Sequence, residues 1–301
     1  MTYSLVARDE ETGALGVIVQ SHFFGVGSLV TWAEAGVGAV ATQSFASPAY
    51  GPLGLRLLRE GASAPDALAQ LVEEDELRDV RQVGVVDSGG ATAAHTGAQC
   101  VPDAGQRTER GVAAQANMMA RPTVWDAMID GYEAAGGPFV DRMLAAVDAA
   151  EREGGDLRGR QSAALLVVGA ERSDRPWEQV IVDLRVDDHP EPIAELRRLV
   201  NQQRAFTLIG EALFTPGAVI GEFTLDERQV EHVAQDLSRA QEILGENPEP
   251  TVWRGVVLAR AGRHEDARRA FELAAERNPQ LREFVKRLAR ARFVPAGHEE
   301  G

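Results

Sequence analysis

Two short apolar runs open the chain, YSLVA and ALGVIV, with the polar RDEETG between them. Val- and Tyr-rich runs around a turn ending in Gly13 predict a pair of strands. In SHFFGVGSLVTWAEAGVGAVATQSF, Gly25, Gly27, Gly36 and Gly38 punctuate apolar stretches. This predicts strands near Val26–Thr31 and Gly38–Gln43, a tight turn around Glu34–Gly36, and close backbone approach at the glycines. The period then changes. Tyr50, Leu53, Leu57 and Leu58 fit one face of a helix, and a second helix follows in SAPDALAQLVEEDE. Ser63 is placed to cap it, with Pro65 in its first turn and Asp66 at its positive end.

RQVGVVDSGGATAAHTG reads as strand, turn at Asp87–Gly90 and strand. Residues Gly97 to Gly111 are polar and turn-rich and are expected to form a loop. GVAAQANMMA is a short strand leaving into irregular chain, followed by helices over Thr123–Ala135 and Pro138–Glu153. GGDLRGRQSAALLVVGA is a loop entering a buried strand, and WEQVIVDLRVDD is its partner. Hairpins thus alternate with helix pairs, unlike the strand–helix–strand rhythm of a parallel sheet. An α+β fold of two facing antiparallel sheets with helices outside satisfies this order; helices packed on one sheet are the simpler alternative. Trp32 and Trp177 are expected to anchor the core.

Pro190 to Phe214 reads as one long helix, with Ile193, Leu196, Leu199, Val200, Phe206 and Ile209 at helical spacing. From Thr224 the chain is helical and highly charged. The expected division is a first domain over residues 1–220 and a small all-α domain over 221–301. In that second part Gly255, Leu258, Gly262, Ala267, Phe271, Ala274 and Pro279 resemble one tetratricopeptide repeat in order and spacing, with Arg254 where that family has an apolar residue.

Charge narrows the partners. A formal net charge of −15 argues against nucleic acid or an anionic membrane. Lys286 is the sole lysine, so no lysine nucleophile exists in the N-terminal part. Cys100 stands alone, which removes an intrachain disulfide framework and cysteine-rich zinc sites. There is no positive segment leading into an apolar one at the start, and no apolar stretch of membrane-spanning length, so a cytoplasmic location is expected.

Several segments resemble one family when taken together: MTYSLVARDEETGALGVIVQS, FFGVGSLVTWAEAGVGAVATQS, the HTG at His95, the NMM at Asn117 and GGDLRGRQSAALLV. They resemble the family numbered 1028 among domains of unknown function, over about residues 1–215. The resemblance implies a four-layer αββα sandwich like that of N-terminal nucleophile hydrolases. It also implies a nucleophile at the mature N-terminus. In such enzymes a Thr, Ser or Cys side chain attacks an amide and its own α-amine is the base. An α-amine has a reference pKa near 8, so part of it is neutral at cellular pH.

Thr2 is the nucleophile this implies, once Met1 is removed; Thr is also simply a good strand residue. Asn117 can donate to an oxyanion or close a turn. Ser21 and Gln43 can bind a substrate amide or cap strand ends, and Ser4 shares the face of Thr2. His95 can serve as base or ligand. Asp156, Arg158, Gln161 and Ser162 form a polar cluster in which Arg158 can bind a carboxylate in bidentate fashion. No metal or organic cofactor is called for. Three readings stay open: a hydrolase of a small amide or peptide through Thr2, a non-catalytic module binding a small ligand or protein, and a structural homo-oligomer, such as a dimer, extended by the helical part.

Overall fold

A computed structural model describes residues 2–295. Residues up to Arg198 form one compact unit and residues from Leu199 onward a second. In the first, β1 (Thr2–Arg8) and β2 (Leu15–Ser21) form the opening hairpin. A four-residue helix α1 (Gly27–Val30) leads to β3 (Thr31–Glu34) and β4 (Gly38–Ser44). Helices α2 (Tyr50–Arg59) and α3 (Ala64–Glu74) follow, then β5 (Arg81–Asp87), β6 (Thr92–Thr96), β7 (Gly105–Glu109) and β8 (Val112–Asn117). Next come α4 (Val124–Ala134), α5 (Phe139–Arg152), β9 (Ser162–Val168) and β10 (Val180–Val186).

The strands make two antiparallel sheets, one of order β10-β9-β2-β1-β8-β7 and one of order β3-β4-β5-β6. Strand alternation sorts their residues into faces. Val6, Val17 and Val19 meet Ala39, Ala41 and Val86 in an apolar core between the sheets. On the outer face of the smaller sheet, Val40, Val83 and Val85 pack under Leu55, Leu58, Leu68 and Leu71 of α2 and α3. On the outer face of the larger sheet lie α4 and α5. There Gly16 is pressed against α5; a Cβ on it would meet Met143 Sδ at 2.8 Å. The order across the unit is helices, sheet, sheet, helices.

Four sequence expectations need correction. Val26–Thr31 is mostly α1 rather than a strand: Val26 and Val30, one helical turn apart, both enter the core between the sheets. Residues 97–111 are not all loop, because β7 pairs with β8 from Gly105↔Ala116 to Glu109↔Val112. Its QRTE segment is polar because it is an edge strand with a wet face. Trp177 is no core anchor; it stands 70% exposed in a short turn. Leu53 is also exposed, since α2 starts at Tyr50 and buries Gly51, Gly54, Leu55 and Leu58.

Helix α6 (Pro192–Phe214) runs across the boundary between the units. The second unit contains α7 (Glu227–Leu244), α8 (Glu249–Arg260), α9 (His264–Arg277) and α10 (Leu281–Arg290). Asp226 starts α7 with a capping box, exchanging bonds with Gln229. Helices α8 and α9 pack tightly because Gly255 lies against Phe271, where a Cβ would come within 2.5 Å of the ring. Leu258, Ala267, Phe271 and Ala274 share one core with Val230, Leu237, Val285 and Leu288. Among the described residues, no helix is long and apolar enough to cross a membrane.

Candidate functional site

Register brings polar residues into rows. Across the larger sheet, Ser162 pairs with Ser21, Ser21 with Thr2, and Thr2 with Asn117. Across the smaller sheet, Gln43 pairs with Gln82 and Gln82 with Thr96. By parity all of these project between the sheets, as do Ser4, Gln106 and Gln115 one step further in. The space between the sheets is therefore apolar at one end and filled with hydroxyls and carboxamides at the other.

The hydrogen bonds form one network. Thr2 Oγ1 lies 2.9 Å from Ser21 Oγ, and either hydroxyl can donate. Gln82 Nε2 donates to the Ala116 carbonyl (2.8 Å), the Gly105 carbonyl (3.2 Å) and Thr96 Oγ1 (2.9 Å). Backbone carbonyls only accept, so they fix which end of the Gln82 amide is nitrogen. Its Oε1 then accepts from Gln43 Nε2 (2.8 Å) and Asn117 Nδ2 (2.8 Å). Gln43 Nε2 also reaches the Thr2 and Gln115 carbonyls, both at 3.1 Å, and Asn117 Nδ2 reaches the Thr2 carbonyl at 3.4 Å. Ser4 Oγ donates to Gln43 Oε1 at 2.7 Å and accepts from Gln115 Nε2 at 2.6 Å. Gln115 fits only because Gly84 faces it: a Cβ there would lie 2.1 Å from Gln115 Oε1.

The bonds that join Thr2, Ser4, Gln43, Gln82, Gln115 and Asn117 are all between uncharged groups. Thr2 is 7% exposed, and Ser4, Gln82, Gln115 and Asn117 are fully buried. Among the described residues, no acidic or basic side chain hydrogen-bonds to Thr2, Ser4, Gln82 or Asn117. Three buried polar atoms have no partner among the described residues: Asn117 Oδ1, Gln115 Oε1 and Ser44 Oγ. Ser44 and Met118, which directly follow Gln43 and Asn117, have φ of 67° and 57°. Left-handed backbone at non-glycine residues costs roughly 1–2 kcal/mol each, and such strain gathers at functional sites.

Asp156 stands at the mouth of this end. Segment 155–157 runs beside segment 118–120: Ala120 N–H donates to the Gly155 carbonyl (3.0 Å), Leu157 N–H to the Met118 carbonyl (3.3 Å), and Met119 and Asp156 form a bridge pair. The Asp156 side chain is fully buried. Its Oδ2 accepts the His22 N–H at 3.0 Å and its Oδ1 the Arg158 N–H at 2.9 Å, while the Arg158 guanidinium lies 3.4 Å away. A cavity of about 350 Å³ lined by Glu151, Gly154, Asp156, Gly159, Arg160 and Pro190 adjoins it. Behind β1, Tyr3 donates to Glu151 at 2.5 Å; burial, then the Glu151 charge, push its phenol well above the ordinary value.

Of the residues singled out by sequence, Thr2, Ser21, Gln43 and Asn117 meet, with Asp156 and Arg158 at their edge. His95 does not join them. It pairs with Val83, whose side chain lies in the outer core, and its Nε2 is 2.9 Å from the Arg78 carbonyl. Alternation on the smaller sheet turns it away from Thr2. Gln161 Nε2 bonds Asp188 at 3.2 Å instead of entering the cluster. The residues not anticipated are Gln82 and Gln115. Each shares the parity of inward apolar neighbours, Val86 and Ala113 respectively, and a carboxamide on a core-facing position is the signal that marks them.

The crystal structure of protein SPO2555 from Silicibacter pomeroyi, described as DUF1028, is similar to 74% of this chain and 88% of that one, with 32% identity and a TM-score of 0.61. No curated protein matches the chain. The model of the family of unknown function DUF1028 matches residues 2–196. The segments that resemble that family are those that build both sheets and the polar row, and the chain belongs to the DUF1028 family.

Proposed function

We propose that the chain hydrolyses a small amide or peptide through Thr2, on a scaffold of the N-terminal nucleophile hydrolase kind, after Met1 is removed. One observation carries this. Thr2 carries a hydroxyl in a buried row in which its own side chain touches Ser21 and its carbonyl is held by Gln43 and Asn117, with no ionisable side chain among the described residues bonded to it. A hydroxyl needs a base, and the base left to Thr2 is its own α-amine. Met1 lies outside the described residues.

In the reaction Thr2 Oγ1 bonds to the amide carbon and its proton passes to the α-amine. The C–N bond then breaks, and the leaving nitrogen takes that proton. Water attacks the resulting ester on Thr2, loses a proton to the amine, and releases the carboxylic acid as the Thr2 hydroxyl is restored. The negative carbonyl oxygen would draw on the Asn117 N–H that now makes the longest donor contact of the network, 3.4 Å to the Thr2 carbonyl. Arg158 would orient an acidic group of the substrate at the rim. No step needs a metal or a cofactor. The helix pair α8–α9 reads as a tetratricopeptide-like hairpin for a protein partner.

A second reading has its own support. The short donor contacts of Gln43 and Asn117 are spent within the network, as they would be in a device that holds two sheets together in a binding module. The test is to prepare the chain with Thr2 as its first residue and treat it with a β-lactone, which acylates activated hydroxyls. The expected adduct maps to residue 2, persists in Thr2→Ser and disappears in Thr2→Val. Folded protein with a free Thr2 amine and no adduct would overturn the hydrolase reading.

A further inference from the structure

Asp156 occupies a particular place relative to β1. Thr2 pairs with Ser21 on one side and Asn117 on the other. Segment 155–157 lies against 118–120, and Asp156 is paired with Met119, two places beyond Asn117. On the other side its carboxylate bonds the N–H of His22, one place beyond Ser21. Opposite Thr2 the flanking strands end, β2 at Ser21 and β8 at Asn117, and Asp156 joins the chain that leaves each of them. In the β1–β2 register His22 follows the partner of Thr2, so the carboxylate that accepts its N–H stands at the Thr2 end of β1.

From this the geometry points to Asp156 as the positioning residue for the α-amine of processed Thr2: a buried carboxylate that binds the ammonium form and fixes the direction of the base. The inference rests on the proposed removal of Met1. It differs from a substrate-binding role, because the side chain is fully buried and its two oxygens already accept the His22 and Arg158 N–H groups. The Arg158 guanidinium, 3.4 Å away, competes for the same carboxylate. The other charged or titratable groups near the Thr2 end of β1 are Tyr3, Glu151 and Arg160 on the outer face and His22 beyond β2. An opposite charge within 4–6 Å raises the pKa of an amine by about 1–3 units, so the base becomes neutral only at higher pH.

The chain suits a direct test. With Thr2 first, it contains two kinds of amine, the α-amine and Lys286, which serves as an internal reference. Reductive methylation with ¹³C-formaldehyde gives each an NMR signal whose shift titrates. In Asp156→Asn the α-amine should titrate at least about one unit lower than in the parent chain, with Lys286 unmoved. Asp156→Glu should restore part of the shift, and Arg158→Gln should move the α-amine in the opposite direction. A role limited to holding the loop would not reverse sign between the two variants. Thermal melting identifies any variant that fails to fold, and Arg158→Gln alone still decides the matter. An unchanged α-amine titration in folded Asp156→Asn, or in Arg158→Gln, overturns the inference. Failure of the lactone adduct with a normal titration difference overturns the hydrolase reading instead, so the two outcomes are separable.

Discussion

Gln82→Leu tests whether the carboxamide network carries the stability of the sandwich end. The change keeps the volume nearly constant and removes a side chain that bonds groups on both sheets, the Ala116 and Gly105 carbonyls and Asn117 of the larger and Gln43 and Thr96 of the smaller. The Ala116 carbonyl loses a donor at 2.8 Å, and Asn117 Nδ2 loses its acceptor at 2.8 Å and keeps only the 3.4 Å contact. Gln43 Nε2 retains two carbonyls at 3.1 Å. Two fully buried groups are thus stranded, and each stranded group costs about 1–3 kcal/mol, so the expected loss is about 2–6 kcal/mol. Hydrogen exchange read by mass spectrometry localises it: amides of β1, β5 and β8 should exchange roughly thirty-fold to 10⁴-fold faster, and those of α8 and α9 should not change. Adding Asn117→Leu removes one stranded donor, so the double variant should lose about 1–3 kcal/mol less than the sum of the single losses. A change in exchange below about threefold, or strict additivity, would refute the idea that these carboxamides act as one unit.

Two further outcomes follow from buried groups elsewhere. Gln20 is fully buried and neither amide atom has a partner, so Gln20→Leu should raise stability by about 1–2 kcal/mol in thermal melts; a loss of similar size would mean that the amide is bonded in solution. Burial pushes the Asp75 carboxyl up, but the Arg81 bond, the Leu77 N–H, the Arg81 charge and the Tyr50 hydroxyl together hold it below its ordinary value of 3.8. Its folded pKa is lower than its unfolded one, so its stabilisation is present above about pH 4 and is lost as pH falls through the folded value. The melting-temperature gap between the parent chain and Asp75→Asn should therefore close on acidification below pH 4, and a constant gap down to about pH 2 would count against it. Tyr50, pushed up to about 12 by burial first and Asp75 second, acts at the other extreme: stability should fall from pH 10 upward, and less so in Tyr50→Phe.

The sequence shows the layers better than the contacts within them. Alternation in YSLVA and ALGVIV assigns faces to β1 and β2 because a strand's period is a local property, and it places Thr2 and Ser4 together before any partner is known. It cannot say which strands pair. That Thr2 meets Asn117, 115 residues away, depends on register between distant segments. The edge strand β7 lacks an apolar face and so lacks the signal that marks a strand. The short helix α1 hides in an apolar run whose glycines suit a strand turn equally well. His95 shows the opposite limit: a histidine at a strand end invites a catalytic role, and one step of parity removes it from the site.

The site's neutrality gives the hydrolase reading its physical content. A nucleophile supplied with a side-chain base would be active as soon as the chain folds. In this chain the amides are oriented by backbone carbonyls, and the hydroxyl of Thr2 lies against the hydroxyl of Ser21. Neither hydroxyl has a pKa near neutrality, so exchanging the proton between them activates nothing. On this reading, cleavage of the bond between Met1 and Thr2 supplies an amine that can take the Thr2 proton. It supplies that group at the end of β1 where Asp156 bonds the chain beyond β2 and pairs with the chain beyond β8. Peptide-bond cleavage would then be both the start of the base and the start of its orientation, and neither would require the sheets to move.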